Sequence, residues 1–148
     1  MDKRIKVGIG ILIVIILLVF ASEVLSSYQS FNYVNHNFED NFTMDVPESF
    51  HFSRIVNDSN LVSYESNKVI VSYYDLTNKT ERVYCDSNIK SLVNNSKIKR
   101  GNLTIYKDGG IISYYNCFVY SDDNNSCVRV QYVNEDACYR MANSVKFI

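Results

Sequence analysis

The chain has 148 residues, 47% of them hydrophobic and 21% charged, with 15 basic against 16 acidic side chains. That is one domain's worth of protein with ample material for a single core, and it is too apolar for disorder to be its main state. With residues 1–25 set aside the formal charge is −2, so the remainder lacks the concentrated basic surface that nucleic-acid binding requires.

Lys3, Arg4 and Lys6 precede an uncharged run of 16 residues, VGIGILIVIILLVFAS, and Glu23 is the first charge beyond it. Basic before and acidic after orients the N-terminus towards the cytoplasm. As a helix the run rises roughly 24 Å, short of the roughly 30 Å hydrocarbon core. Snorkelling of Lys6 and continuation through Val24 and Leu25 close that gap. Two readings of residues 1–25 stand: a single-pass signal-anchor that meets the membrane through residues 5–25, or a signal peptide cut after Val19-Phe20-Ala21. Both place the rest of the chain outside the cytoplasmic membrane, tethered or secreted. Acylation as a lipoprotein would need a cysteine directly after the apolar run, and the first is Cys85.

Residues 26–37 are polar with scattered aromatics and suit a tether, leaving 38–148 as the extracytoplasmic domain. Phe42, Met44 and Val46 alternate with polar residues, a half-buried strand stopped by Pro47, and the alternation resumes from Phe50 to Val56. LVSYES at 61–66 and KVIVSYY at 68–74 predict a hairpin about Ser66-Asn67. Ile89, Leu92 and Val93 lie at helical spacing, which predicts a helix within 79–94. Lys97, Lys99 and Arg100 form a basic cluster, read either as a solvated turn or as a contact for an anionic lipid or wall polymer. Residues 102–107 form the next strand, and Asp108-Gly109 signals a tight turn into a long strand at 111–120. A strand at 126–133 follows the polar turn Ser121–Asn125. Asn134 then caps a helix reaching about Asn143, with Ala137, Cys138, Met141 and Ala142 as its inner stripe and a terminal strand in 144–148. The predicted class is α+β: an antiparallel sheet built from hairpins, one mid-chain and one C-terminal helix, one sheet face covered, and a single N-terminal transmembrane or signal helix in front.

Cys85, Cys117, Cys127 and Cys138 are an even set in a chain read as exported, which favours two disulfides with three connectivities open. If the 111–120/126–133 hairpin sets residue 117 opposite 127, the pairing is Cys117–Cys127 across the hairpin and, by elimination, Cys85–Cys138. Four buried free thiols are the competing reading. Asn-x-Ser/Thr occurs at Asn41, Asn57, Asn78, Asn94, Asn102 and Asn124, six candidate glycan acceptors.

The segment FTMDVPESFHF, a phenylalanine-led strand into Val-Pro and a second aromatic strand, resembles the opening of PsbP/Mog1/DcrB-type domains. The ending DACYRMANSVKF is similar to the way those domains close, so the two cues bracket residues 38–148. The resemblance implies a small exported α+β domain whose relatives are mostly non-enzymatic binding or assembly factors. The chain also resembles the small, singly anchored, Asn-rich surface proteins of methane-producing archaea.

Catalytic chemistry finds little to stand on. His36 and His51 have no nucleophile motif beside them and read as a tether histidine and an exposed strand histidine. Asp122-Asp123-Asn124-Asn125 offers oxygen ligands to calcium but lacks the glycine and distal glutamate of an EF-hand, so an acidic turn is the plainer reading. The sequence therefore predicts no catalytic, cofactor-binding or metal-binding residue. The expected function is a non-catalytic, membrane-tethered extracytoplasmic domain acting through an unknown protein or cell-envelope partner; the alternative is a secreted or tethered small-ligand-binding domain of PsbP/Mog1-like fold.

Overall fold

The structure, a computed structural model, describes residues 3–27, 31–58, 60–92 and 96–148, and within the first helix the side chains of Ile5 and of 7–21. The described chain divides into two units, Met1–Ser30 and Phe31–Ile148.

The first unit is one helix, α1 (Lys3–Ser27), over the uncharged run. Leu, Ile and Val fill the helix on every side, and each described large apolar side chain from Ile5 to Phe20 is 44–64% exposed. Among the described residues, no helix is long and apolar enough to cross a membrane.

The second unit is α+β, as the hairpin pattern predicts, but its strands form two antiparallel sheets rather than one. Strands β1 (Tyr33–Phe38), β2 (Phe42–Pro47) and β10 (Lys146–Phe147) make a three-stranded sheet with β2 in the middle. The other strands are β3 (Ser53–Asn57), β4 (Leu61–Ser66), β5 (Val69–Asp75), β6 (Ser96–Arg100), β7 (Leu103–Asp108), β8 (Tyr114–Tyr120) and β9 (Ser126–Tyr132). They form a seven-stranded sheet in the order β3-β4-β5-β9-β8-β7-β6. Helix α2 (Lys79–Leu92) connects β5 to β6, and α3 (Glu135–Asn143) follows β9.

Alternation along the strands sorts the large sheet into two faces. The register pairs Val71 with Val130 and with Tyr64, Cys117 with Val130, and Ile105 with Cys117. These residues therefore share one face, and with Phe42, Met44, Val46, Cys138 and Met141 they form the main core beneath α3 and the small sheet. Tyr74, Phe118 and Cys127 point the other way and, with Leu76, Cys85 and Leu92, make a second core beneath α2. Both faces of the sheet are thus covered, where the sequence led to one.

The turns show why the hairpins form. Ser66 pairs with Val69, leaving Asn67 and Lys68 at φ 47° and 69°, the doubly left-handed turn that suits the twist of two strands. The turn sits one residue later than the sequence suggests. At Gly101, φ is 58° and an added Cβ would stand 3.0 Å from the Tyr139 hydroxyl, so glycine meets both a conformational and a steric need there. Asn134 caps α3, accepting from the Ala137 amide at 2.9 Å, and the expected inner stripe of Ala137, Cys138, Met141 and Ala142 is buried.

Three expected boundaries are corrected. The tether does not run to residue 37, because Tyr33–Phe38 is strand β1, paired along its length with β2 and seated by buried Phe38. Residues 96–100, expected as a turn, are edge strand β6, with Ile98 packed on the main core. The strand after Asp108 starts at Tyr114 and not at 111; residues 109–113 are a loop whose tip carries Ile111 and Ile112 in the open.

Candidate functional site

The chemically reactive side chains of the second unit gather on the two faces of strands β8 and β9. The register sets Tyr120 opposite Cys127 and Cys117 opposite Val130. Cys117 and Cys127 therefore project from opposite faces of the sheet, and the expected Cys117–Cys127 bridge is corrected: a sulphur above a sheet cannot reach one below it. Its complement, Cys85–Cys138, fails for the same reason, since α2 brings Cys85 to one face and α3 brings Cys138 to the other. All four cysteines are buried thiols here.

What the structure does bring together is Cys117 with Cys138, and Cys85 with Cys127. On the main-core face the Cys138 Sγ lies 3.7 Å from the Cys117 Sγ, with the Tyr115 and Val130 carbonyls at 3.3 and 3.5 Å. Its hydrogen bond to Cys117, together with burial, raises the Cys138 thiol above its ordinary range. On the other face Cys85 and Cys127 lie in the same core, and the Tyr120 hydroxyl, on the residue paired with Cys127, lies 4.0 Å from the Cys85 Sγ. A thiolate at Cys85 would accept from both neighbours, so its pKa is lowered, chiefly by Cys127. Cys127 is raised, first by its interaction with Cys85 and then by burial.

Beside the Cys85/Cys127 pair lies a polar cluster that sequence reading missed. Arg129, half-buried on β9, donates from Nε and Nη2 to the Oδ1 of fully buried Asn116, at 3.1 and 2.7 Å. The Asn116 amide reaches the Tyr106 carbonyl at 3.5 Å. The guanidinium also stands 5.7 Å from the centre of the Phe118 ring. Burial raises the Tyr74 phenol, an effect that Arg129 partly offsets. Arg129, two positions from Cys127, shares its face by simple alternation, but Asn116 stands next to Cys117 on the other strand, and only the register shows that it joins Arg129 and Cys127 on one face.

The remaining candidates lie apart. His36 sits half-buried on β1 with its ring 4.6 Å from Phe38 and 5.8 Å from Phe52. Burial lowers its pKa, which is how an imidazole packed among aromatics behaves. His51 is exposed in the β2–β3 loop. Asp123 spends its carboxylate on its own turn, accepting from the Ser121 hydroxyl at 2.6 Å and from the Asn125 amide groups at 3.0 Å. Those bonds, the Ser121 one first, lower its pKa. Among the described residues, no group of three or more His, Cys, Asp or Glu side chains is placed to hold a metal ion. Arg100 pairs with Asp136 at 2.5 Å and lies over the Tyr139 ring, and Lys97 lies over Tyr106. Two members of the basic cluster are thus engaged with their own domain. Of the sequons, Asn57, Asn102 and Asn124 are exposed, Asn41 and Asn78 are half-buried, and Asn94 lies outside the described residues. Asn78 uses its side-chain oxygen to cap α2 at the Thr80 amide, 2.8 Å away, which competes with a glycan there.

No protein-family model matches the chain, and no curated protein matches it.

Proposed function

We propose that the chain is a non-catalytic, membrane-tethered domain on the outer side of the cytoplasmic membrane, acting through contacts with a protein or cell-envelope partner. The observation that carries this reading is α1. Its described apolar side chains are exposed around the entire helix, a surface that water disfavours and hydrocarbon accepts. The helix has 25 residues and so extends roughly 37 Å; its described side chains fall short of a span by themselves, and in this reading the flanking turns complete the seat in the bilayer, with the basic residues 3, 4 and 6 of the sequence setting the N-terminus to the cytoplasmic side. The exposed sequons at Asn57, Asn102 and Asn124 and the two buried cysteine pairs suit an outside location.

Two surfaces of the second unit support a role in contacts. Strand β3 closes one edge of the large sheet, all five of its residues are exposed, and Ile55 and Val56 are among them. An open edge offers unpaired backbone groups to an added strand. The Ile111-Ile112 loop tip presents a second apolar contact.

The test is fractionation of the native host cells, followed by proteolysis of intact and lysed cells and an intact mass. A full-length chain that stays with membranes through an alkaline wash, and whose second unit is cut from outside intact cells, supports the tethered reading. A chain shortened by about 21–27 residues in the medium converts the tether to a secretion signal. A full-length chain in the cytoplasmic fraction, shielded until lysis, overturns the proposal.

A further inference from the structure

The four cysteines fall into two pairs, one in each hydrophobic core, and the sheet between them separates the pairs. Three connectivities are open to four cysteines. Cys117 and Cys138 share the face beneath α3, while Cys85 and Cys127 share the face beneath α2. Either other connectivity would run both bridges through a hydrogen-bonded sheet. We propose that the protein matures by closing two disulfides, Cys117–Cys138 and Cys85–Cys127, each fastening one helix to one face of the seven-stranded sheet. This rests on the extracytoplasmic reading, because cytosolic thiols are kept reduced.

The geometry is close to what a bridge needs. From the 3.7 Å contact of Cys117 and Cys138, each sulphur has to move by less than about 1 Å to reach bonding distance, within what side-chain rotation provides. Cys85 and Cys127 share the core beneath α2, and both neighbour Tyr120, whose hydroxyl is 4.0 Å from the Cys85 Sγ and whose backbone pairs with Cys127. In each pair one cysteine, written here as Cys85, attacks as its thiolate a sulphur of an exported disulfide donor, such as a dithiol oxidase in its oxidised form, and displaces one donor thiolate. The Cys127 thiolate then attacks the Cys85 sulphur of the mixed disulfide and displaces the second. Two electrons pass to the donor, and the two protons given up by Cys85 and Cys127 leave it as a dithiol. The same exchange at Cys138 and Cys117 consumes a second equivalent. Both pairs are at most 1% exposed in the folded chain, so closure belongs to folding, before the helices have docked, and reduction afterwards requires unfolding.

The experiment has two arms. In the first, the purified full-length chain is reduced, unfolded and refolded with oxidised and reduced glutathione; residual thiols are blocked, and unreduced peptides are mapped. Trypsin leaves Cys117 and Cys127 on one peptide, so an aspartate-specific protease is added to cut at Asp122 and Asp123 between them. Peptides joined as 117–138 and 85–127, with no alkylated cysteine, are expected. Bridges 117–127 or 85–138, or four alkylated thiols, overturn the proposal. A Cys117→Ser chain, mapped in the same way, is expected to carry one alkylated cysteine, Cys138, with 85–127 intact; alkylation of Cys127 instead overturns it. In the second arm the native chain is alkylated under denaturing conditions without reduction, alongside protease accessibility in intact cells. The 117–138 and 85–127 pairs support the proposal. Four free thiols on a domain cut from outside overturn the bridges and leave the extracytoplasmic reading standing. Four free thiols on a domain shielded inside overturn both.

Discussion

Replacing Asn116 by alanine removes the acceptor on which the Arg129 guanidinium rests. The arginine gives two hydrogen bonds, 3.1 and 2.7 Å long, to one oxygen of a side chain with no solvent exposure. A hydrogen bond to a charged group contributes about 1.5–3 kcal/mol, and an orphaned buried partner adds its own desolvation penalty. Because both bonds end on one atom they do not count twice, and the half-buried guanidinium keeps access to water. The expected loss for Asn116→Ala is therefore about 3 kcal/mol. Arg129→Met leaves the Asn116 oxygen unpaired instead and is expected to cost about 1–3 kcal/mol. The double variant replaces both partners with apolar groups, so its cost should fall short of the sum of the two by about 1 kcal/mol or more. Urea unfolding of the full-length chain, followed by far-ultraviolet circular dichroism, measures all four corners of the cycle. An Asn116→Ala loss under about 1 kcal/mol, or additivity within about 0.5 kcal/mol, would refute the view that this cluster is a coupled polar unit under α2.

Three further outcomes are expected. Asn134→Ala removes the oxygen that accepts from the Ala137 amide and should cost about 1 kcal/mol, with faster hydrogen exchange confined to the first turn of α3. Lys68→Gly relieves a left-handed residue at φ 69° and should raise stability by up to about 1 kcal/mol in the same urea assay; destabilisation would mean that the lysine side chain holds the turn. Burial holds the Tyr74 and Tyr120 phenols above their ordinary range, so the unfolded chain releases protons that the folded chain keeps. Their stabilisation is whole below about pH 10 and is lost as pH rises from there through the higher folded-state values. Tyrosinate absorbance should accordingly include a late fraction that appears together with unfolding, and Tyr74→Phe should shrink that fraction.

Elements with an inward and an outward side were legible in the sequence. Phe42, Met44 and Val46 of β2, the stripe of α3 and the Asn134 cap all occupy the places their spacing predicts. Elements with only one anchoring residue were not. Strand β1 buries Phe38 alone, and the one residue of β6 packed on the main core face that shows in its composition is Ile98, so polar and charged neighbours outweigh the periodic signal. The division into two sheets was also out of reach. It depends on β5 pairing with β9 across more than fifty residues and on β10 returning to β2, and no local pattern records which strands meet.

The cysteine pairing shows how one local detail decides a global arrangement. Setting residue 117 opposite 127 puts both on one face, whereas the turn that forms sets Tyr120 opposite Cys127. The two registers differ by three residues, an odd number, and every odd shift exchanges the faces of one strand relative to the other. Ser121 fixes the register: its amide donates to the Ser126 carbonyl and its hydroxyl accepts from the Ser126 amide, both at 3.0 Å, while Asn124 takes a left-handed φ of 56° between them. The alternative register would either carry Arg129 and Gln131 round into the main core and drive Val128 and Val130 out of it, or turn β8 over and take Cys117 out of that core. Two fully buried valines and the Arg129–Asn116 bonds therefore select against it. A short polar turn and the burial it permits thus decide which helix each cysteine meets, and hence which of three connectivities the fold can close.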